Sequence, residues 1–493
     1  MIYRRIYDPA LAQASYLVGC EETREAILLD PERDIDRYER EAAALGLRIV
    51  AVAETHVHAD FVSGVRCFAA TRPVAVYQSG MGEPAEWTSA GPFHAGASVR
   101  FLRDGDQVSV GSVRLAVRHT PGHTREALSF AVVDSDGAPR ALFSGDFLFA
   151  GDVGRPDLGF LSKAGMTVEE SAEALRRSLS LLDDMPDAVP VLPGHGAGSA
   201  CGKMICRLPE STVGIERVIN RPLRSKDDGA RFIESLLRDQ PDPPPYFERV
   251  KRTNERGPAV HERIPAPPRM AGAEFAEAAR GISRVVIDTR EWGAWVDGHL
   301  PGSIFAMLDP YFGPTVANYV EPGDEVLLVI DGDRVEEAVR VLFRVGLDGF
   351  AGWIAPRDFA AIDEDAFECA GCDEVSPREA NRRIRGGAQV LDVRSKQEFA
   401  KGHVEGAVHI PFIQLPARIG ELDPARPVVA YCRSGNRSAR ACAYLRRHGF
   451  TVSNLRGGYW PYAGRGYCRW VGNPYPVKLA PISPGSAAAT RSR

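Results

Sequence analysis

Two stretches of the chain repeat each other: VVIDTREWGAWVDGHLPGSI over 285–304 and VLDVRSKQEFAKGHVEGAVHI over 390–410. Asp288 matches Asp392, Arg290 matches Arg394, and Gly298-His299 matches Gly402-His403, each 104 positions further on. Each copy opens on a short apolar run of the kind that forms a buried strand. Each closes on a helix pattern followed by glycine, AVRVLFRVG in one and ARACAYLRRHG in the other. Strands alternating with helices at this spacing describe a small α/β unit built on a parallel sheet and present twice. The expected units are 270–365 and 374–475. At 493 residues the chain is too long for one core, and residues 1–252 form a separate domain in this reading.

That first domain reads as strands broken by Gly, Asp and Pro turns, with helices near 32–45 and 167–183. The Pro-rich QPDPPPYF (240–247) closes it, and RTNERGPAVHERIPAPPR (252–269) reads as a linker. The tail APISPGSAAATRSR (480–493) is small and polar, the composition of a disordered segment. Charge is nearly balanced, with 60 basic against 65 acidic residues, so neither nucleic acid nor an anionic membrane surface is an expected partner. No stretch approaches the roughly 20 apolar residues that span a bilayer. The opening MIYRRIYDPALAQASYLVG lacks the apolar core and cleavage site of a secretory signal, and nine cysteines form no regular framework. A cytoplasmic setting is the expectation.

Chemistry-bearing residues in the first domain fall directly after apolar runs. ETHVHADFVSG (54–64) places His56, His58 and Asp60 on alternate positions, with Phe61 next. HTPGHT (119–124), ALFSGD (141–146) and VLPGHGAG (191–198) follow the same rule. One such histidine is more often a surface or core residue than a ligand. Four strand-end clusters between His56 and His195 point to a metal site.

The pattern resembles the metallo-β-lactamase superfamily, whose T-H-x-H-x-D-H loop precedes a distal His, a bridging Asp and a last His. The resemblance covers the first half of the chain, including ASYLVG (14–19) and LLDP (28–31). Within the superfamily, GDVGRPDL (151–158) and ETHVHADF look most like the persulfide dioxygenases. That resemblance implies an αββα sandwich and one Fe(II) per chain on His56, His123 and Asp146. Two imidazoles and a carboxylate form a facial triad that leaves positions open for substrate and oxygen. Phe61 has no lone pair, so a second metal would lack ligands. His58, Asp60 and His195 are then expected to orient the ligands and hold water, although Asp60 also reads as a simple turn residue. The resemblance gives Arg155 the role of gripping glutathione, for which a guanidinium suits a carboxylate; Thr124 and Asp157 are weaker candidates for substrate contact. Cys201, in the Gly-rich GHGAGSACG, could carry sulfur near the metal or be a buried small hydrophobe. Cys20, Cys67, Cys206, Cys442 and Cys468 sit in no local motif, and Cys369-x-x-Cys372 has no second pair for a zinc site.

The second motif is VVAYCRSGNRSARACAYL (428–445). An apolar strand delivers Cys432 into a short loop, a helix follows, and Arg433 and Arg437 add charge. Successive N–H groups curling about the sulfur, the Ser438 hydroxyl and the helix N-terminus would stabilise a persulfide anion. This resembles a rhodanese domain, over about 375–475, with LDVR (391–394) and GHVEGAVHIP (402–411) belonging to the same pattern. Phosphatases with a C-x5-R loop are the related alternative. The middle copy has no cysteine between Cys206 and Cys369, and its loop LLVIDGDRVEEA (327–338) carries acids where the other copy has the thiol and an arginine. It is expected to be a silent rhodanese-like unit.

The combined expectation is an α/β protein: a metallo-β-lactamase sandwich followed by two rhodanese-like domains with parallel sheets. It would oxidise glutathione persulfide, or a related low-molecular-weight thiol persulfide, with O2 to sulfite, while Cys432 exchanges sulfane sulfur with thiosulfate. A homo-oligomer is expected. The competing readings are a glyoxalase II-like thioester hydrolase with an appended sulfur carrier, and a sulfur-sensing protein with a vestigial metal fold.

Overall fold

Alternation in the N-terminal strands sets which residues face inward. In Val113–His119 the residues Val113, Leu115 and Val117 are buried while Arg118 is exposed. In Gln13–Gly19 every residue is buried, so that strand is covered on both faces. The computed structural model describes residues 1–91, 93–158, 166–281, 283–321, 323–362, 373–460 and 470–471. Cys369, Cys372 and Cys468, the tail 480–493 and the expected domain ends at 365 and 475 lie outside the described residues.

Twelve strands of the first part form two six-stranded sheets. In the first, the strands run in sequence order from Ile2–Asp8 to Ser98–Leu102. In the second, Gln107–Val110 and Ser211–Thr212 are the edges, and Pro139–Gly145 lies between Leu128–Val133 and Pro190–Pro193. The inner faces share one core, with Tyr16, Val18 and Ile27 from one sheet against Leu115, Phe130 and Phe143 from the other. Helices Asp36–Ala44 and Val65–Thr71 cover the outer face of the first sheet through Tyr38, Ala42 and Phe68. Helices Val168–Ser178 and Gly229–Leu237 cover the second through Leu175, Phe232 and Leu236. The result is an αββα sandwich. A Thr167–Glu170 capping box starts the 168–178 helix, satisfying backbone donors at its first turn.

The repeat is visible as structure. Residues 284–354 form a four-stranded sheet and residues 373–455 a five-stranded one, and every strand pair in both is parallel. Arg290 binds Asp288 at 2.6 Å and donates to Gly298 O at 2.7 Å; Arg394 binds Asp392 at 2.6 Å and donates to Gly402 O at 2.8 Å. His299 stacks on Trp295 (3.5 Å, 11°) just as His403 stacks on Phe399 (3.7 Å, 9°). The residues that recur at one offset are thus the ones that tie the first strand of each unit to the helix and turn after it.

Where the sequence suggested a linker from 252, the helix Tyr246–Arg256 continues. It continues because Tyr246, Phe247 and Val250 are buried beside Phe61, Phe149 and Cys201. The middle unit also packs on the sandwich through charge. Arg344 contacts Asp34 at 2.7 Å, Asp8 at 3.0 Å and Glu32 at 3.2 Å, and all three carboxylates are buried. Carboxylates so placed would each carry a large desolvation cost without that guanidinium. No helix among the described residues is long and apolar enough to cross a membrane.

Candidate metal centre and thiol loop

Each of the four strand-end clusters leaves its sheet at the same rim. His56 follows Arg48–Ala53, His123 follows Val113–His119, Asp146 follows Pro139–Gly145, and His195 follows Pro190–Pro193. Gly145 makes the turn into Asp146 with φ +55°, and a Cβ there would meet Thr55 Oγ1 at 2.7 Å, so glycine is required both for the turn and for the close approach. The structure brings together His56, His123 and Asp146, whose ligand atoms lie within 4.8 Å of one another, all buried. Asp146 Oδ2 is 3.5 Å from His123 Nε2 and 4.0 Å from His56 Nε2.

Hydrogen bonds decide which nitrogen of each ring is free. Thr55 Oγ1 donates to Asp30 Oδ2 at 2.9 Å, so it can only accept from His56 Nδ1, 3.0 Å away. His123 Nδ1 donates to the carbonyl of Arg155 at 2.9 Å. Both rings therefore turn an unprotonated Nε2 toward Asp146. Burial pushes the pKa of His56 well below that of free imidazole, with His58 adding to the effect, and burial likewise lowers His123. Asp146 Oδ2 is buried with no hydrogen-bond partner. Two neutral imidazoles and one orphaned carboxylate oxygen, converging on a point, fit a single metal ion.

His195 differs. It donates from Nδ1 to Asp146 Oδ1 at 2.8 Å and from Nε2 to Asp60 Oδ2 at 2.7 Å. Carboxylates only accept, so both nitrogens carry protons and neither has a lone pair for a metal. Burial works against that charge, but Asp146 and Asp60 together raise the His195 pKa well above its usual value. For Asp146, burial opposes ionisation, yet His195 holds its carboxyl well below the usual range. Asp60, His195 and Cys201 also cluster, and the cluster is built around this imidazolium. Phe61 is fully buried, and its ring lies 4.2 Å from that of His58, tilted by 33°. His58 Nε2 donates to Asp30 Oδ1 at 3.0 Å, and Asp30 raises the His58 pKa against the effect of burial. Cys201 is buried with Phe61, Phe149 and Tyr246, and burial, with Asp60 and Asp146 behind it, pushes its thiol pKa well up.

Arg155, expected to grip substrate, is engaged by the protein itself. Its side chain is 1% exposed, and Nε and Nη2 make a bidentate pair with Asp157 at 2.7 Å each. Nη1 donates to Ala200 O at 3.1 Å and Nη2 to Pro241 O at 2.5 Å. A buried guanidinium whose three nitrogens all serve protein acceptors braces the loop that holds His123. Thr124 Oγ1, by contrast, is buried without a hydrogen-bond partner.

Two supporting residues were given no role in the sequence reading, although Asp30 lies in its LLDP motif. Asp30 holds the metal loop by accepting from Thr55 N at 2.7 Å as well as from Thr55 Oγ1 and His58. Asn254, on the helix that replaced the linker, donates to His58 O (2.9 Å) and Phe61 O (2.8 Å) and accepts from Ser63 N (2.9 Å). Asn254→Ala leaves three buried backbone groups unpaired. It is expected to cost about 3 kcal/mol of stability and roughly tenfold or more in metal affinity, read by thermal unfolding and metal titration.

Cys432 directly follows the strand Val428–Tyr431 and is 1% exposed. Gly435, at φ +106°, turns the loop so that its N–H donates to Cys432 Sγ at 3.1 Å. Ser438 donates to Gly435 O at 3.0 Å, which supports the turn from below. Arg437 pairs bidentately with Glu398 at 2.7 and 2.9 Å, and Arg433 is exposed. In the middle copy Asp288 pairs with Val329, as Asp392 pairs with Tyr431. The residue after the strand is therefore Ile330 where the other copy has Cys432, and Asp331 where it has Arg433. The thiol position holds an aliphatic side chain, and the acid takes the place of the arginine.

Comparison with known proteins places these features. The family model for the metallo-beta-lactamase superfamily matches residues 8–195, and that for the rhodanese-like domain matches 376–463. The chain is 29% identical over 246 residues to "Persulfide dioxygenase ETHE1, mitochondrial" of Bos taurus, covering 49% of this chain and 84% of that protein. It is 39% identical over 97 residues to a "Sulfurtransferase" of Allochromatium vinosum, covering 19% of this chain and 91% of that one. The crystal structure of a metallo-beta-lactamase from Staphylococcus aureus superposes with a TM-score of 0.62 at 35% identity, covering 72% of this chain and 99% of that chain.

Proposed function

The chain belongs to the metallo-beta-lactamase superfamily and carries a C-terminal rhodanese-like domain, and on that premise we propose that it joins a persulfide dioxygenase to a sulfurtransferase in one polypeptide. The dioxygenase domain spans 1–252 with its closing helix, and the unit from 374 to 475 transfers sulfur. The overall reaction at the first centre is RSSH + O2 + H2O giving RSH and sulfite, with glutathione persulfide as the substrate. The observation that carries this reading is the proton arrangement around the site. His56 and His123 each offer a free Nε2 and Asp146 offers an orphaned oxygen, while His195 is occupied by two carboxylates.

Iron(II) held by two imidazoles and a carboxylate would supply redox chemistry toward oxygen and open positions for the persulfide. The chain's own part is to fix the geometry and keep the site dry. Asp30 and Asn254 hold the loop of His56, Arg155 fixes the tautomer of His123, and His195 keeps one oxygen of Asp146 engaged so that the other faces inward. Phe61, Phe149 and Tyr246 fill the space behind the ligands. The Thr124 hydroxyl is available to a bound substrate. Thioester hydrolysis with two metals fits less well, because Phe61 offers no lone pair and His195 is engaged by Asp146 and Asp60, which leaves a second ion too few ligands.

At the second centre Cys432 takes the outer sulfur of thiosulfate: Cys–S⁻ + S2O3²⁻ gives Cys–S–S⁻ + SO3²⁻. The N–H of Gly435 and the cationic side chains of Arg433 and Arg437 favour that anion. The 270–365 unit is silent, since Ile330 cannot carry sulfur, and its role is to buttress. Val62, next to Phe61, donates to Arg344 O of that unit at 2.7 Å. Adding glutathione persulfide to the protein in an oxygen electrode should produce sulfite in step with oxygen uptake, one for one. Hydrolysis of a glutathione thioester with no oxygen consumed from the persulfide would point to the hydrolase instead.

A further inference from the structure

Arg344 closes the helix Val335–Arg344 of the middle unit, yet its guanidinium lies among acids of the sandwich. It pairs with Asp34 through two nitrogens, at 3.0 and 2.7 Å, and reaches Asp8 and Glu32 as well. The three carboxylates stand on two separate segments. Each segment goes on to brace a different side of the metal centre.

The first segment runs from Asp8 to the loop of His195. Asp8 Oδ1 accepts from Ala10 N at 2.8 Å; beyond that turn Ala12 O accepts from Gly196 N and Ala14 N donates to Gly194 O, each at 2.8 Å. The second runs from Asp34 back to Asp30, which holds Thr55 and His58. Pro31 O accepts from Gly64 N at 2.8 Å and Arg33 N donates to Val62 O at 3.1 Å, so this segment lies along the far end of the loop 54–64. The approach is close, since a Cβ on Gly64 would meet Glu32 O at 2.3 Å. The Arg344 carbonyl adds a third tie by accepting from Val62 N. One residue of the middle unit thus fastens both segments and the metal loop.

We propose that Arg344 is a positioning residue for the metal centre, and that the middle unit acts on the first centre through it. The inference rests on the reading of His56, His123 and Asp146 as ligands. Carboxylates gathered at one buried place repel one another unless a cation stands between them, and a guanidinium has donors enough to serve all three. With Arg344 in place, the segments from Asp8 and from Asp34 are drawn to one point. His195 is thereby set against Asp146, and Thr55 against His56. Without it Glu32 keeps Arg37 at 2.7 Å and Asp34 keeps Arg340 at 3.2 Å, but Asp8 loses its ion pair. The fold retains partners enough to persist, while the two sides of the site lose their common anchor.

The test uses the full-length protein with Arg344→Met, Arg344→Lys and, as a control, Arg340→Met. Arg340 pairs across the same interface with Asp34 and Asp36, not with Asp8 or Glu32. Zinc(II) affinity is measured by competition with a chelator, and kcat and KM for oxygen uptake on glutathione persulfide are measured at saturating iron. In Arg344→Met zinc affinity should fall about tenfold, and kcat about tenfold with KM within about twofold of the parent. Arg344→Lys keeps the charge and should recover affinity to within about threefold of the parent. Arg340→Met should melt at a lower temperature with affinity within about twofold of the parent. Should Arg344→Met fail to fold, Asp8→Asn keeps the acceptor for Ala10 N, removes the charge, and should weaken zinc binding about threefold. Parental affinity in Arg344→Met, or in Asp8→Asn where that variant carries the test, would overturn the proposal, as would an equal loss in Arg340→Met. A parent protein that binds zinc but takes up no oxygen would overturn the dioxygenase reading, and the affinities would still decide this one.

Discussion

Asp146→Ala is expected to abolish metal retention and reduce oxygen uptake on glutathione persulfide to background. The substitution removes the one charged ligand of the proposed set, and two neutral imidazoles alone make a weak site for a divalent ion. It also strips His195 of the partner 2.8 Å from Nδ1, leaving a buried imidazolium with Asp60 alone. Removing one partner of a buried ion pair costs about 3–5 kcal/mol, so a lower melting temperature should accompany the loss. The sulfurtransferase centre serves as the internal control, because Cys432 lies in a sheet of its own. Sulfur transfer from thiosulfate should persist in Asp146→Ala. Metal analysis and the two activities on one preparation check this, and retention of metal with full oxygen uptake would remove Asp146 from the ligand set.

Cys432→Ser is expected to have the opposite pattern. A serine hydroxyl is the smaller group and can accept from Gly435 N–H, so the loop should keep its shape. It cannot carry a persulfide at neutral pH, because a hydroxyl lacks the nucleophilicity and leaving ability of a thiolate toward sulfur. Transfer from thiosulfate should vanish, while oxygen uptake on added glutathione persulfide stays at the parental rate. Thiosulfate plus glutathione should then no longer drive oxygen uptake, if the rhodanese-like domain feeds the first centre. Oxygen traces of mutant and parent with each substrate separate these outcomes. Thiosulfate-dependent uptake that survives in the mutant would mean that another thiol carries the sulfur, and Cys201, clustered with Asp60 and His195, would be the one to test next.

Much of this was legible in the sequence for a physical reason. Site residues at strand ends are announced by the apolar runs before them, so His56, His123, Asp146 and His195 could be singled out from those runs, while the division into ligands and supporting residues came from the family resemblance. Asp392 and Arg394 recur at Asp288 and Arg290 because the pair ties each unit together, and a structural pair repeats when its surroundings repeat. What stayed hidden depends on contacts between segments far apart in the chain. Asn254 reaches the loop of His58 from a stretch that reads as linker, since its helix is stabilised by burying Tyr246 and Phe247 rather than by its own polar sequence. Arg155 looked available because a sequence cannot reveal that Ala200 O and Pro241 O converge on it. The acids of the middle loop masked Ile330, whose equivalence to Cys432 appears only when strand register is known.

The central claim is one redox-active iron per chain, held by His56, His123 and Asp146. The most direct measurement is metal content together with oxygen uptake on glutathione persulfide, made on iron-loaded and zinc-loaded preparations of the same protein. The account predicts about one iron per chain, oxygen uptake with sulfite formed in the iron preparation, and no uptake in the zinc preparation. Two metal ions per chain, or full activity with zinc alone, would contradict it.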